Sequence, residues 1–178
     1  AAAEQWRPLA EAGNMTAQFN LAVLHDNSES ALFDSAAAAA WYKRAAAQGF
    51  GAAQYNLALA YRLGRGVETD VEQAEALYAK AAAQGHVKAA DNYGLLLFQR
   101  GAREEALPYI SAASMRGDPR AQYLLGIAHF NGDLVKKDWR RAYALLTLAN
   151  SSGLPQARGA LAQMDQYISI EDRQAAQP

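Results

Sequence analysis

Three histidines, a pair of adjacent glutamates and one glycine-arginine-glycine triplet are the residues of this chain whose types could do chemistry. Histidines can hold a metal or move protons, and a glycine-flanked cation can cradle a phosphate. None of these groups has the spacing its chemistry needs. His25 and His129 occupy one position in two segments that lie three periods apart. About six helix layers at ~8–10 Å each would separate them, so they cannot share a metal. They are read as packed imidazoles standing where Tyr61 stands in its own segment. Gly64-Arg65-Gly66 follows no strand and has no third glycine, so it is a loop and not a phosphate site. Glu104-Glu105 and Lys136-Lys137 read as solvated caps and loop charges. No zinc spacing, P-loop, dinucleotide fingerprint or hydrolase elbow is present. The expectation is a chain with no catalytic residue, no metal site and no cofactor, and hence not an enzyme.

What remains is chemistry of recognition. Asn20, Asn56 and Asn92 fall at equal intervals, with Leu124 at the fourth such place. One helical turn earlier stand Thr16, Ala52, Lys88 and Arg120. An asparagine amide both donates and accepts, which suits an extended backbone. Lys88 and Arg120 add positive charge, which suits an acidic segment or a C-terminal carboxylate. Asn20, Asn56, Lys88, Asn92 and Arg120 are therefore the candidate partner-binding residues. The plainer reading is that asparagine is a habit of the repeat and bonds locally between helices; both readings stand. Phe98 and Phe130 are candidate anchors for a partner on the same terms, with core packing as the plainer reading.

The elements that position these residues follow from a period. Glycines fall at Gly13, Gly49, Gly85, Gly117 and Gly153, at spacings of 36, 36, 32 and 36. Four residues after each stands Ala17, Ala53, Ala89, Ala121 or Ala157, and eleven before the last four stands Ala38, Ala74, Ala106 or Ala142. A fixed period of this size signals stacked supersecondary units. Ala53, Leu57, Ala60 and Tyr61 lie on one helix face, and Val71, Ala74, Leu77, Tyr78 and Ala81 on another. Each unit is thus helix A, loop, helix B and a tight turn at glycine. Thr69 or Asp70 can cap the second helix. The alanines mark close helix contacts, where a larger side chain would push the axes apart.

Ala53, Leu57, Ala58, Tyr61, Gly64, Gly66, Val67, Asp70, Ala74, Leu77, Tyr78, Lys80, Ala81, Ala82, Gln84 and Gly85 together resemble the Sel-one-like repeat (SLR) family, a relative of the tetratricopeptide repeats. The match runs from about residue 13 to 167. The resemblance implies an all-α fold, an α/α right-handed superhelix or solenoid of helix-turn-helix repeats, that works as a scaffold or adaptor for other proteins. The first repeat departs from the pattern at Ser28-Glu29-Ser30-Ala31, where loop glycines are missing. The fourth loses one loop glycine in Gly132-Asp133-Leu134-Val135. The third is four residues short, and Gly101 is expected at positive φ in a turn of about three residues.

The expected organisation is a partial preceding repeat over 1–13, a solenoid of four repeats and a fifth A helix over 14–167, and a tail or truncated helix over 168–178. Pro8 is tolerated if it lies in or near the first turn of its helix. Lysine plus arginine number 17 and aspartate plus glutamate 18, a net charge of −1. That balance gives no electrostatic case for nucleic acid or an anionic membrane. No run of eighteen apolar residues occurs, so no transmembrane segment is expected. The chain has no cysteine, so it has no disulfide staple. It does not begin with methionine and neither end reads as a polar cap, so it is expected to belong to a larger parent. The functional expectation is a protein or peptide partner, of acidic character, on the concave face around repeats two to four. Bacterial members of the family often have envelope roles, so the resemblance implies a bacterial cell envelope and favours the periplasm. The alternative is a peptidoglycan- or glycan-associated module working with an attached wall-binding domain.

Overall fold

The computed structural model describes residues 2–175. They form eleven α-helices: α1 Ala2–Glu11, α2 Met15–Asp26, α3 Ser35–Ala47, α4 Gly51–Leu63, α5 Val71–Ala83, α6 Val87–Gln99, α7 Arg103–Met115, α8 Pro119–Asn131, α9 Trp139–Ser151, α10 Pro155–Met164 and α11 Ile170–Ala175. There is no strand among the described residues. Even-numbered helices from α2 to α10 are A helices and odd-numbered ones from α3 to α9 are B helices. The chain divides into two compact units, residues 1–93 and 94–178, with the boundary inside α6. In the first, α1 to α5 pack each on the next; in the second, α7 to α10 do so and α11 lies on α9.

The tight turns repeat one hydrogen-bond pattern. Gly49 N–H donates to the Ala46 carbonyl and Phe50 N–H reaches back to Ala45. The same pair of bonds recurs at Gly13, Gly85, Gly117 and Gly153. This is the Schellman closure, which needs a left-handed residue just past the helix end. All five glycines have φ between 84° and 99°. The longer A-to-B loops close differently. The N–H of Asp34, Asp70 or Asp138 donates to the carbonyl of His25, Tyr61 or His129, nine residues back. The same aspartates cap the next helix: Asp34 accepts from Ala36 and Ala37, Asp70 from Gln73, and Asp138 from Arg141. Of the two candidate caps at the start of α5, Asp70 does the capping.

All nine register alanines are at most 4% exposed. Around them pack larger side chains. In the first unit, Tyr42 and Leu57 are buried, with Phe19, Trp41, Phe50, Tyr61 and Leu77 against them. In the second, Leu146, Met164 and Ile168 are buried, with Tyr123, Ile127, Phe130, Tyr143 and Leu161 around them. Full burial of such a side chain contributes about 1.5–3 kcal/mol, several times what a methyl gives. Alanine therefore sets the spacing, and the tyrosines and leucines supply most of the stabilisation.

Glutamines tie the A helices α2 and α4 to their neighbours. Gln18 donates to the Ala10 carbonyl at the end of α1 and accepts from Gln48 at the end of α3, each near 3 Å. Gln54 donates to Ala46 and accepts from Gln84 at 2.8 Å. In the fourth repeat Gln122 keeps its buried place, but Ser152 stands where Gln48 and Gln84 stand. A serine is too short to reach, and the Gln122 Oε1 is buried without a partner.

The expected departures have clear local forms. The 100–102 turn is three residues, with Gly101 at φ 91°. Leu134 takes the place of Gly66 and keeps its left-handed backbone, at φ 65°. For a non-glycine residue this costs roughly 1–2 kcal/mol. Gly66 cannot be replaced in the same way, because a Cβ there would collide with the Ser35 carbonyl. Pro8 lies past the first turn of α1, and Pro108 is likewise interior to α7; each withholds an N–H from the helix.

Two expectations follow. Gly85→Ala meets open space and should cost only the left-handed backbone term, about 1 kcal/mol, whereas Gly66→Ala adds a backbone collision. Thermal melts should show the Gly66 variant falling clearly further; equal losses would mean that the 64–70 loop does not press on α3. Ser152→Gln should give Gln122 its missing donor and raise Tm by roughly 2–4 °C, the shift for about 1 kcal/mol in a chain of this size. An unchanged or lower Tm would show that the orphaned acceptor is satisfied another way.

Candidate interaction surface

The candidate residues divide between the units. Asn20 on α2, Asn56 on α4, and Lys88 and Asn92 on α6 belong to the first; Arg120 on α8 belongs to the second. Their surroundings differ more than their shared register suggests. Asn92 is buried, and its amide donates to the Lys88 carbonyl at 2.8 Å, inside its own helix. Asn56 is half-buried and hydrogen-bonds the Tyr42 hydroxyl. Asn20 is half-buried and makes no intramolecular hydrogen bond, because Trp6 stands at the position that Tyr42 holds relative to Asn56 and has no hydroxyl. Lys88 is exposed and makes no ion pair. Arg120 is exposed, and its guanidinium pairs with Asp118 at 2.9 Å.

Tyr42 centres a buried polar cluster in the first unit. Tyr42 is 3% exposed and donates to Asp26 Oδ2 at 3.4 Å. Burial first, then the Asp26 charge, push its hydroxyl far above the usual tyrosine range; Asn56 and Arg65 pull the other way. In the second unit Asp118 caps α8 through Arg120 N–H and Ala121 N–H. Burial raises its carboxyl, but the hydrogen bonds from Arg120 and Ala121 outweigh that and hold it below the usual carboxylate range.

The histidines are structural in position. His25 Nδ1 lies 2.7 Å from the Leu32 carbonyl, and His129 Nδ1 lies 3.0 Å from the Lys136 carbonyl. A carbonyl only accepts, so Nδ1 carries the proton in both. Each ring ties the end of an A helix to the loop that follows it. His86 stacks on Tyr55 with centroids 4.6 Å apart. No group of three or more metal-ligating side chains occurs among the described residues, and no helix there is long and apolar enough to cross a membrane. Phe98 is half-buried under the Arg103 guanidinium, 5.2 Å from its centroid, and Phe130 packs on the Leu146 cluster. The core reading holds for both.

One feature went unread in the sequence. Lys137, Asp138, Trp139, Arg140, Tyr143, Ile168 and Asp172 line a cavity of about 470 Å³. Trp139 and Tyr143 are four apart on one helix, a spacing visible in the chain, but the opposite wall comes from residues about thirty further on.

The Sel1 repeat profile matches residues 16–50, 51–86 and 119–154, more than half of the chain, and skips the shortened third repeat. A Sel1 repeat protein from Oxalobacter formigenes is 34% identical over 85% of this chain and 64% of its own, with a TM-score of 0.69. A protective antigen of uropathogenic Escherichia coli, described as displaying an SLR fold, is 31% identical over 91% of this chain and 36% of its own, with a TM-score of 0.72. The chain thus spans about a third and somewhat under two thirds of the lengths of these two structures. A search of curated proteins finds no match.

The Tyr42 cluster makes a pH prediction. Its folded pKa lies above the unfolded value near 10, so in the alkaline range the unfolded chain releases the proton first. Stability is full below about pH 10 and falls as pH rises through the folded pKa. Urea melts from pH 8 to 11.5 should show this loss, with a shallower slope in Tyr42→Phe; identical slopes would remove Tyr42 as the cause.

Proposed function

Because this chain belongs to the Sel1 repeat family, whose members are generally scaffolds for protein interactions, we propose that it is a non-enzymatic scaffold holding an acidic polypeptide segment on the A-helix face of its first unit. The observation that carries this reading is the state of Asn20 and Lys88. The Asn20 amide and the Lys88 ammonium stand on A helices at the candidate positions, and neither side-chain group has a partner among the described residues. Asn56 and Asn92 serve beside them as structural hydrogen bonders that hold the same face in place. An amide that donates and accepts fits a peptide backbone, and an uncompensated ammonium fits a carboxylate. Arg120 is a separate cationic point on the second unit. It is available to a stronger carboxylate ligand by exchange with Asp118, and its exposed ion pair contributes little to stability.

We place this activity in a bacterial cell envelope. The support is the likeness to a protective antigen of a bacterial pathogen.

Selection of displayed random peptides against the chain tests the reading. Selected peptides should be rich in aspartate and glutamate, and their affinity should fall with added salt. Lys88→Glu should weaken them about tenfold or more while stability stays within ~0.5 kcal/mol, as expected of an exposed substitution. Peptides that bind Lys88→Glu and the native chain equally would defeat the assignment.

A further inference from the structure

The starts of two B helices are places where the next repeat's loop lies. In the first unit the 64–70 loop brings Gly66 against Ser35, the first residue of α3. In the second, the 132–138 loop meets Arg103, the first residue of α7. Asp133 pairs with the Arg103 guanidinium at 2.9 Å, and Leu134 shares a small cavity with Arg103, Phe98, Leu107 and Ile110. An acidic side chain on a cation, followed by an apolar side chain beside an aromatic ring, is thus the chain's own way of covering that position.

The corresponding start of α9 is left open. The turn after α10 is five residues, 165–169, and has no glycine, against seven residues in each of the two loops just described. The 470 Å³ cavity lies there, within the size range of ligand sites. Trp139, 43% exposed, Tyr143 and Ile168 provide its apolar lining. Its lining carries equal charges, Lys137 and Arg140 against Asp138 and Asp172, and Asp165 hydrogen-bonds the Tyr143 hydroxyl. Arg140 pairs with Asp172 at 3.0 Å, and Asp138 is engaged as the cap of α9. Lys137 lies over the Trp139 ring, 5.1 Å from its centroid, and makes no ion pair among the described residues.

From this cavity, the Lys137 ammonium at it and the way Asp133 and Leu134 cover Arg103, we infer a docking site for a partner polypeptide loop in which an acidic residue precedes an apolar one. The acidic side chain meets Lys137, and the apolar one enters against Trp139, Tyr143 and Ile168. Aromatic anchors in a pocket with a charged rim are where binding energy concentrates. The inference rests on the reading of the chain as a polypeptide-binding scaffold, but it names a surface separate from Asn20 and Lys88.

The probe is the capped tetrapeptide Gly-Asp-Leu-Val, the sequence of residues 132–135, titrated into the whole chain. Of the three tryptophan indole N–H signals, the one identified by Trp139→Phe should shift and saturate in the millimolar range. Gly-Lys-Leu-Val and Gly-Asp-Ser-Val should each bind about tenfold more weakly or worse, as should Gly-Asp-Leu-Val with Lys137→Glu. Lys88→Glu should leave the Trp139 response unchanged, so this site and the A-helix face succeed or fail separately. Absence of any Trp139 shift, equal responses to the three peptides, or undiminished binding by Lys137→Glu would each overturn the inference.

Discussion

A helix can approach its neighbour only as closely as the side chains between them allow, and in this chain that limit is set by alanine. One small residue four places after each glycine, and one eleven places before most of them, keeps every A–B contact close. A leucine at any of these places would overpack the contact, at about 1–3 kcal/mol. The spacing in turn decides what fits around it. Tyr42, Tyr78, Leu21 and Leu146 are among the larger buried side chains that fill the gaps alanine leaves. Their pockets exist because the alanines hold the axes together.

Close spacing also decides where polar groups may be buried. A glutamine reaches the end of the preceding B helix and the end of the following one only because both lie within one side-chain length of α2 or α4. The A-to-B loops use a different tie, an aspartate that caps one helix while its N–H holds the end of the helix before it. Both ties are directional, and they specify the register that apolar burial alone would leave loose. The fourth repeat shows how separable they are. It keeps the aspartate tie at Asp138 and the buried Gln122, and it lacks only the partner at Ser152.

Within this frame the surface chemistry is what the packing does not absorb. Asn56 and Asn20 are the same residue type in the same register. One is engaged by a tyrosine hydroxyl and the other is free, because Trp6 replaces that tyrosine. Lys137 and Arg103 show the same division. Arg103 pairs with the Asp133 carboxylate of a following loop, whereas Lys137 lies over the Trp139 ring.

The period, the helix limits and the buried alanines were all legible in the chain, since each depends on residues within one repeat and on the backbone needs of glycine, aspartate and proline. Gly101 announced its three-residue turn. What the sequence could not decide were contacts between one repeat and the next. That Gln18 and Gln48 meet, and that Leu134 tolerates a left-handed backbone where Gly66 could not be replaced, depend on distances across stacked helices. The cavity at Trp139 belongs with these. Its near wall is one helical turn that anyone could read, but its far wall comes from Ile168 and Asp172, and only the packing of α11 on α9 brings them there.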